Sequence, residues 1–140
     1  MRVIIIFVYC MFLFSPAIAD TVDYYHVYIN KLKVLDVSPA RPDNLTLNID
    51  GIKNGDSISI NYFRDTHCGS CSINLVLCDS TGLVLLKTAG NGMGNSLSFS
   101  LLEIVEYRRR NGSPLLIFYF DERHIQGFHK PTLLLKVHLE

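Results

Sequence analysis

Through most of this chain apolar side chains recur at every second position, in short runs separated by Gly, Pro, Asn, Asp and Ser. A period of two puts alternate side chains on opposite faces of a pleated strand, whereas a helix needs about 3.6. The runs are YYHVYI (24–29), KLKVLDV (31–37), LTLNI (45–49), SISINYF (57–63), SINLVLCD (72–79), LVLLK (83–87), PLLIFYF (114–120) and TLLLKVHL (132–139). The chain turns near Asn30, Pro39 and Pro42 enforce a loop, and DGIKNGD (50–56), Ser80-Thr81-Gly82 and GNGMGN (90–95) carry turn chemistry. In 57–63 the pattern sends Ile58, Ile60 and Tyr62 inward. The run 114–120 is so continuously apolar that burial on both faces is expected.

One segment changes period. Ser100 followed by Glu103 is a capping box, Leu101, Ile104, Val105 and Arg108 share a side, and Gly112 and Pro114 supply the stop. This predicts a helix over about 101–110, with Arg108, Arg109 and Arg110 in the last turn, where cations favour the helix dipole. Strands without regular β–α alternation make the fold class all-β and mainly antiparallel. We expect a two-sheet β-sandwich of about seven or eight short strands with one inserted helix. A barrel is the alternative. No repeat or linker calls for a second domain, so 20–140 is read as one domain, long enough for a real core.

The first residues, MRVIIIFVYCMFLFSPAIAD, combine basic Arg2, an apolar run and a small-residue site before Asp20, which reads as a secretory signal peptide over 1–19. Tyr9 before Cys10 does not suit lipid attachment. The apolar run is shorter than the about 20 residues a bilayer span takes, so no membrane span is expected in the mature chain, which is read as secreted or periplasmic. Lys plus Arg and Asp plus Glu number 13 each, and only Arg108–Arg110 are clustered. Without a basic face, nucleic acid is not an expected partner.

HCGSC (67–71) poses the chemical question. The leader would take Cys10 with it and leave Cys68, Cys71 and Cys78, an odd number for an oxidising compartment. If 72–79 is one strand, Cys71 and Cys78 stand about 23 Å apart at roughly 3.3 Å per residue, beyond the about 7 Å reach of a disulfide. Cys68 would reach Cys78 only by folding back along the strand, so Cys68 with Cys71 is the candidate bridge and Cys78 the candidate free thiol. A metal reading would need His67, Cys68 and Cys71 completed by Cys78, His124 or His129, an incomplete ligand set, and no metal or other cofactor is assigned. Haem attachment fails because Ser72, not His, follows the second cysteine. GNGMGN lacks the order and following Lys of a phosphate loop, and Asp50, Asp56, Asp65 and Asp79 lack calcium-loop spacing. Asn44 and Asn111 stand in glycosylation acceptor triplets.

HCGSC after the strand-like Asn61-Tyr62-Phe63, with Ser113-Pro114 further on, is similar to the active-site dithiol of thioredoxin-like proteins over about a third of the chain. That resemblance implies thiol–disulfide exchange with Cys68 as nucleophile, Cys71 as resolving thiol and His67 assisting. In that family the first cysteine caps a helix that lowers its pKa. Here the residues after Cys71 alternate as SINLVL, a strand period. The leading expectation is thus a small secreted non-catalytic module that binds an unknown protein or glycan partner, with no catalytic residues assigned; the alternative is the exported oxidoreductase. The expected contact loops carry Asp65, His67, Asn91 and Asn95, because loops on a rigid sandwich are where sites gather. A partner strand added to an open sheet edge is the other mode. Tyr24, Tyr25, Tyr28, Tyr62, Phe63 and Tyr119 suggest a carbohydrate platform, but core packing is the default for them.

Overall fold

The computed structural model describes residues 22–113, 115–123 and 131–140. The leader expected over 1–19, and His124 and His129, lie outside them. Among the described residues nine strands and one helix follow in the order β1 (Asp23–Ile29), β2 (Leu32–Val37), β3 (Asp43–Leu47), β4 (Ser57–Arg64), β5 (Ser72–Asp79), β6 (Val84–Asn91), β7 (Ser96–Ser100), α1 (Leu101–Asn111), β8 (Leu115–Arg123) and β9 (Thr132–Leu139). They form a two-sheet β-sandwich: a four-stranded sheet in the order β2-β1-β4-β7 and a five-stranded sheet in the order β3-β9-β8-β5-β6. All pairings are antiparallel except β3 with β9.

Alternation builds the core. Tyr25 and Val27 of β1, Ile58, Ile60 and Tyr62 of β4, and Leu97 and Phe99 of β7 face Ile73, Leu75 and Leu77 of β5 and Leu116, Phe118 and Phe120 of β8, all buried. Each fully buried large side chain contributes roughly 1.5–3 kcal/mol of transfer free energy. Helix α1 closes one side through Leu101, Ile104 and Val105. Its start is capped by Ser100, which accepts from the Glu103 amide at 3.5 Å. Gly112, at φ 69°, donates to the Arg108 carbonyl at 2.7 Å and ends it.

Three details depart from the sequence reading. Strand β7 was not anticipated, because Leu97 and Phe99 give only two inward positions between a glycine-rich loop and a helix cap. Strand β6 runs on through Gly90, where a Cβ would come within 2.9 Å of Leu97 Cδ2. That glycine marks close approach of the two strands rather than a loop. In β8, Leu116, Phe118 and Phe120 are buried, but Leu115, Ile117 and Tyr119 are only half-buried, so the run is not covered on both faces.

Hairpin turns follow local chemistry. Asn30 and Lys31 have φ 50° and 70°, the double left-handed turn that matches strand twist. Asn30 is anchored by accepting from the Ser57 amide at 2.9 Å and donating to Asp56 Oδ1 at 2.8 Å. Between β5 and β6, Asp79 Oδ1 accepts from the Thr81 amide (2.8 Å), the Thr81 hydroxyl (2.6 Å) and the Leu83 amide (3.0 Å). Its other oxygen accepts from the Tyr107 hydroxyl at 3.1 Å, tying α1 to the turn. These donors, the Thr81 hydroxyl foremost, hold the Asp79 carboxyl below its usual range against the opposing effect of burial. Burial, followed by the Asp79 hydrogen bond and charge, pushes the Tyr107 hydroxyl up.

Candidate functional site

Strand β4 ends at Arg64 and the chain loops through residues 65–71 before entering β5. Cys68 and Cys71 lie at disulfide distance, S–S 2.04 Å, with Cα atoms 5.7 Å apart. Immediately after Cys71 the backbone is pleated: Ser72 pairs with Asn91 of β6 on one side and Arg123 of β8 on the other. The peptide groups beyond the sulfur are therefore committed to two ladders and do not align as a helix dipole behind Cys68, the device that lowers a cysteine pKa. Cys78, near the far end of β5, is a buried free thiol. Burial, and secondarily the charge of Asp79, pushes its pKa up.

The loop 65–71 packs against the loop that follows β6. The Gly92 amide donates to the Cys71 carbonyl at 2.9 Å and the Gly94 amide to the Tyr62 carbonyl at 2.8 Å. Both glycines have φ 76°, and a Cβ on Gly92 would sit 2.9 Å from the Gly69 carbonyl oxygen. The glycines of GNGMGN thus serve loop-on-loop packing. Asn95 donates through its side-chain amide to the Asn91 carbonyl, bracing the same loop. Asp65, His67, Asn91 and Asn95 are all exposed at this end of the sandwich. Among the described residues, no group of three or more His, Cys, Asp or Glu could hold a metal ion.

Beside this loop end lies an aromatic row outside the core, although core packing is the default for such side chains. With Tyr25, Val27, Ile60 and Tyr62 turned inward, their neighbours Tyr24, His26 and Tyr28 of β1 and Phe63, Asn61 and Ser59 of β4 share the outward face of the four-stranded sheet. Tyr24 stands opposite Phe63 with ring centroids 5.4 Å apart and planes at 12°. His26 sits 4.8 Å from Phe63 and 5.6 Å from Tyr24, and Tyr28 follows at 6.4 Å from His26. Tyr24 retains 39% exposure, and the other three rings are partly open to solvent. The row meets the loop end directly, since a Cβ on Gly94 would lie 3.6 Å from the Phe63 ring.

A shallow cleft of about 250 Å³ adjoins the row, lined by Tyr28, Lys31, Ser59, Asn61 and Ser96. Asn61 donates weakly to the Gly94 carbonyl at 3.4 Å, while its Oδ1 is buried without a hydrogen-bond partner. Beside the face, Lys33 stands 3.1 Å from Asp36 and Arg64 3.1 Å from Asp23, and His26 Nε2 lies 3.4 Å from Asp36 Oδ1. A second cleft of about 320 Å³ separates α1 from β6, with Leu77, Leu85, Ile104 and Tyr107 among its walls. Among the described residues no helix is long and apolar enough to cross a membrane. No family model, curated protein or solved structure matches the chain.

Proposed function

We propose that this chain is a small exported, non-catalytic binding module that meets its partner through the outward face of the four-stranded sheet and the adjoining loop end. The observation that carries this reading is the row Tyr24, His26, Tyr28 and Phe63, exposed at Tyr24 and partly open to solvent at the other three, on a face that strand alternation would otherwise fill with polar side chains. Large apolar surface left uncovered on a folded domain marks a contact site more often than chance packing does. The neighbouring loops 65–71 and 91–95 are held to each other and to β4 by backbone hydrogen bonds, which suits a preorganised surface.

The rival reading, exported thiol–disulfide exchange through Cys68 and Cys71, draws on the exposure of the HCGSC loop. Strand β5, standing where that chemistry wants a helix, weighs against it. The binding reading is tested by placing a photo-crosslinking phenylalanine analogue at Tyr24 or Phe63 in the full chain and irradiating it in its producing cells and their medium. The same analogue at Leu83, 59% exposed at the far turn, is the control. Adducts from positions 24 and 63 but not 83 support the reading; none, or equal adducts at all three, overturn it.

A further inference from the structure

We propose that the ligand of this face is a neutral oligosaccharide chain, its sugar rings lying against Tyr24, His26 and Phe63 and its hydroxyls entering the Ser59–Asn61–Ser96 cleft; this rests on the binding-module reading above. Three observations point to that chemistry. The rings follow one another at 5.6 and 6.4 Å along β1, from Tyr24 to Tyr28, a row about 13 Å long at the rise of a strand. Successive flat units of a polymer can each find an aromatic partner on such a row, because the C–H faces of a sugar ring carry partial positive charge and aromatic faces partial negative charge.

The polar groups lining the cleft are Ser59, Asn61 and Ser96, with the exposed Lys31 at its edge. Ser59, Asn61 and Ser96 offer hydroxyl and amide donors and acceptors without charge. Of the basic groups nearby, Lys33 and Arg64 are paired with Asp36 and Asp23, and Lys31 adds a single ammonium at the edge of the cleft, a donor to hydroxyls and fewer cationic groups than a phosphate or sulfate site gathers. Finally, the cleft, at about 250 Å³, falls below the roughly 300–1,000 Å³ of pockets that enclose a small molecule. Only part of a ligand fits within it, and the remainder runs over the aromatic row, as a chain would.

The test is native affinity electrophoresis of the full chain in gels containing xylan, galactomannan, mixed-linkage glucan, dextran or, as the charged arm, polygalacturonate. Titration with a hexasaccharide of whichever neutral polymer retards the protein follows. At least one neutral polymer should retard it, and Tyr24→Ala and Phe63→Ala should each weaken binding tenfold or more. Asn61→Asp, which preserves side-chain shape, should weaken it at least threefold, and Leu83→Ala should leave it unchanged. Circular dichroism confirms that each variant is folded. Retardation by no polymer, by polygalacturonate alone, or to the same extent in the Tyr24→Ala, Phe63→Ala double variant overturns the assignment. Should crosslinks form at 24 and 63 while no saccharide binds, the ligand class falls and the binding reading stands; loss of both removes the two together.

Discussion

Replacing Cys68 and Cys71 together by serine removes a bridge that closes a ring of very short sequence separation, 3 residues. In the chain-entropy account such a ring restricts the unfolded state by about 2 kcal/mol, since the logarithmic dependence on loop length gives little for so few residues. The native state contributes little beyond this. The Cys71 carbonyl is still held by the Gly92 amide, and Ser72 is still paired on both sides, so the loop stays docked without the sulfurs. The expected loss is therefore about 1–2 kcal/mol, which for a domain of this size lowers Tm by about 4–10 °C. Urea unfolding of both proteins, followed by far-ultraviolet circular dichroism, measures it, and the slope with denaturant should not change because the buried surface does not. A loss above about 4 kcal/mol, the range of bridges closing long loops, or an altered slope would refute the argument by showing that the bridge supports the core. No loss at all would refute its entropic half.

Other perturbations follow from single contacts. Lys31→Gly relieves a left-handed residue in the β1–β2 turn, and the relief of roughly 1–2 kcal/mol outweighs the added unfolded-state freedom of about 0.5–1 kcal/mol. Tm should rise, and a fall would show that Lys31 makes a compensating contact. Ser100→Ala removes the helix cap and should cost about 1 kcal/mol in urea unfolding; unchanged stability would place the helix start elsewhere. Asp79 carries a lowered carboxyl pKa in the fold, so its contribution is complete above the ordinary Asp value of about 3.9 and is lost as pH falls through the lower folded value. The stability gap between the protein and Asp79→Asn should accordingly be full at neutral pH and close under acid. A gap independent of pH would contradict the hydrogen-bond assignment.

The sandwich was legible because burial on one face writes a period of two into sequence, and β4 keeps that period cleanly, with β1 following it through Tyr25 and Val27. The helix was legible from its ends: Ser100 accepts from the Glu103 amide and Gly112 donates to the Arg108 carbonyl, backbone groups that only a helix leaves open. Strand β7 was hidden because it is short and its flanks carry loop and cap residues. The β3–β9 pairing was hidden for another reason, since which strands adjoin is a property of distant contacts that no local pattern records. That same gap concealed the aromatic row. Turning Tyr62 inward already implied that Phe63 turns out, and Val27 fixes Tyr24, His26 and Tyr28 likewise; only the β1–β4 register puts Tyr24 opposite Phe63. The cysteine bridge needed no tertiary information, because a strand between Cys71 and Cys78 separates them by its length alone.

The reduction potential of the Cys68–Cys71 pair tests most directly whether HCGSC is a structural tie beside a binding face or a redox centre. Equilibration of the full chain against dithiol buffers, with alkylation and mass mapping of each cysteine, reads it. With β5 pleated and no helix behind the sulfur, the pair should reduce only below about −300 mV, as structural bridges do, and buried Cys78 should resist alkylation until the protein unfolds. A midpoint above about −230 mV, with Cys68 trapped first as a reactive thiolate, would contradict the account and favour the exchange enzyme.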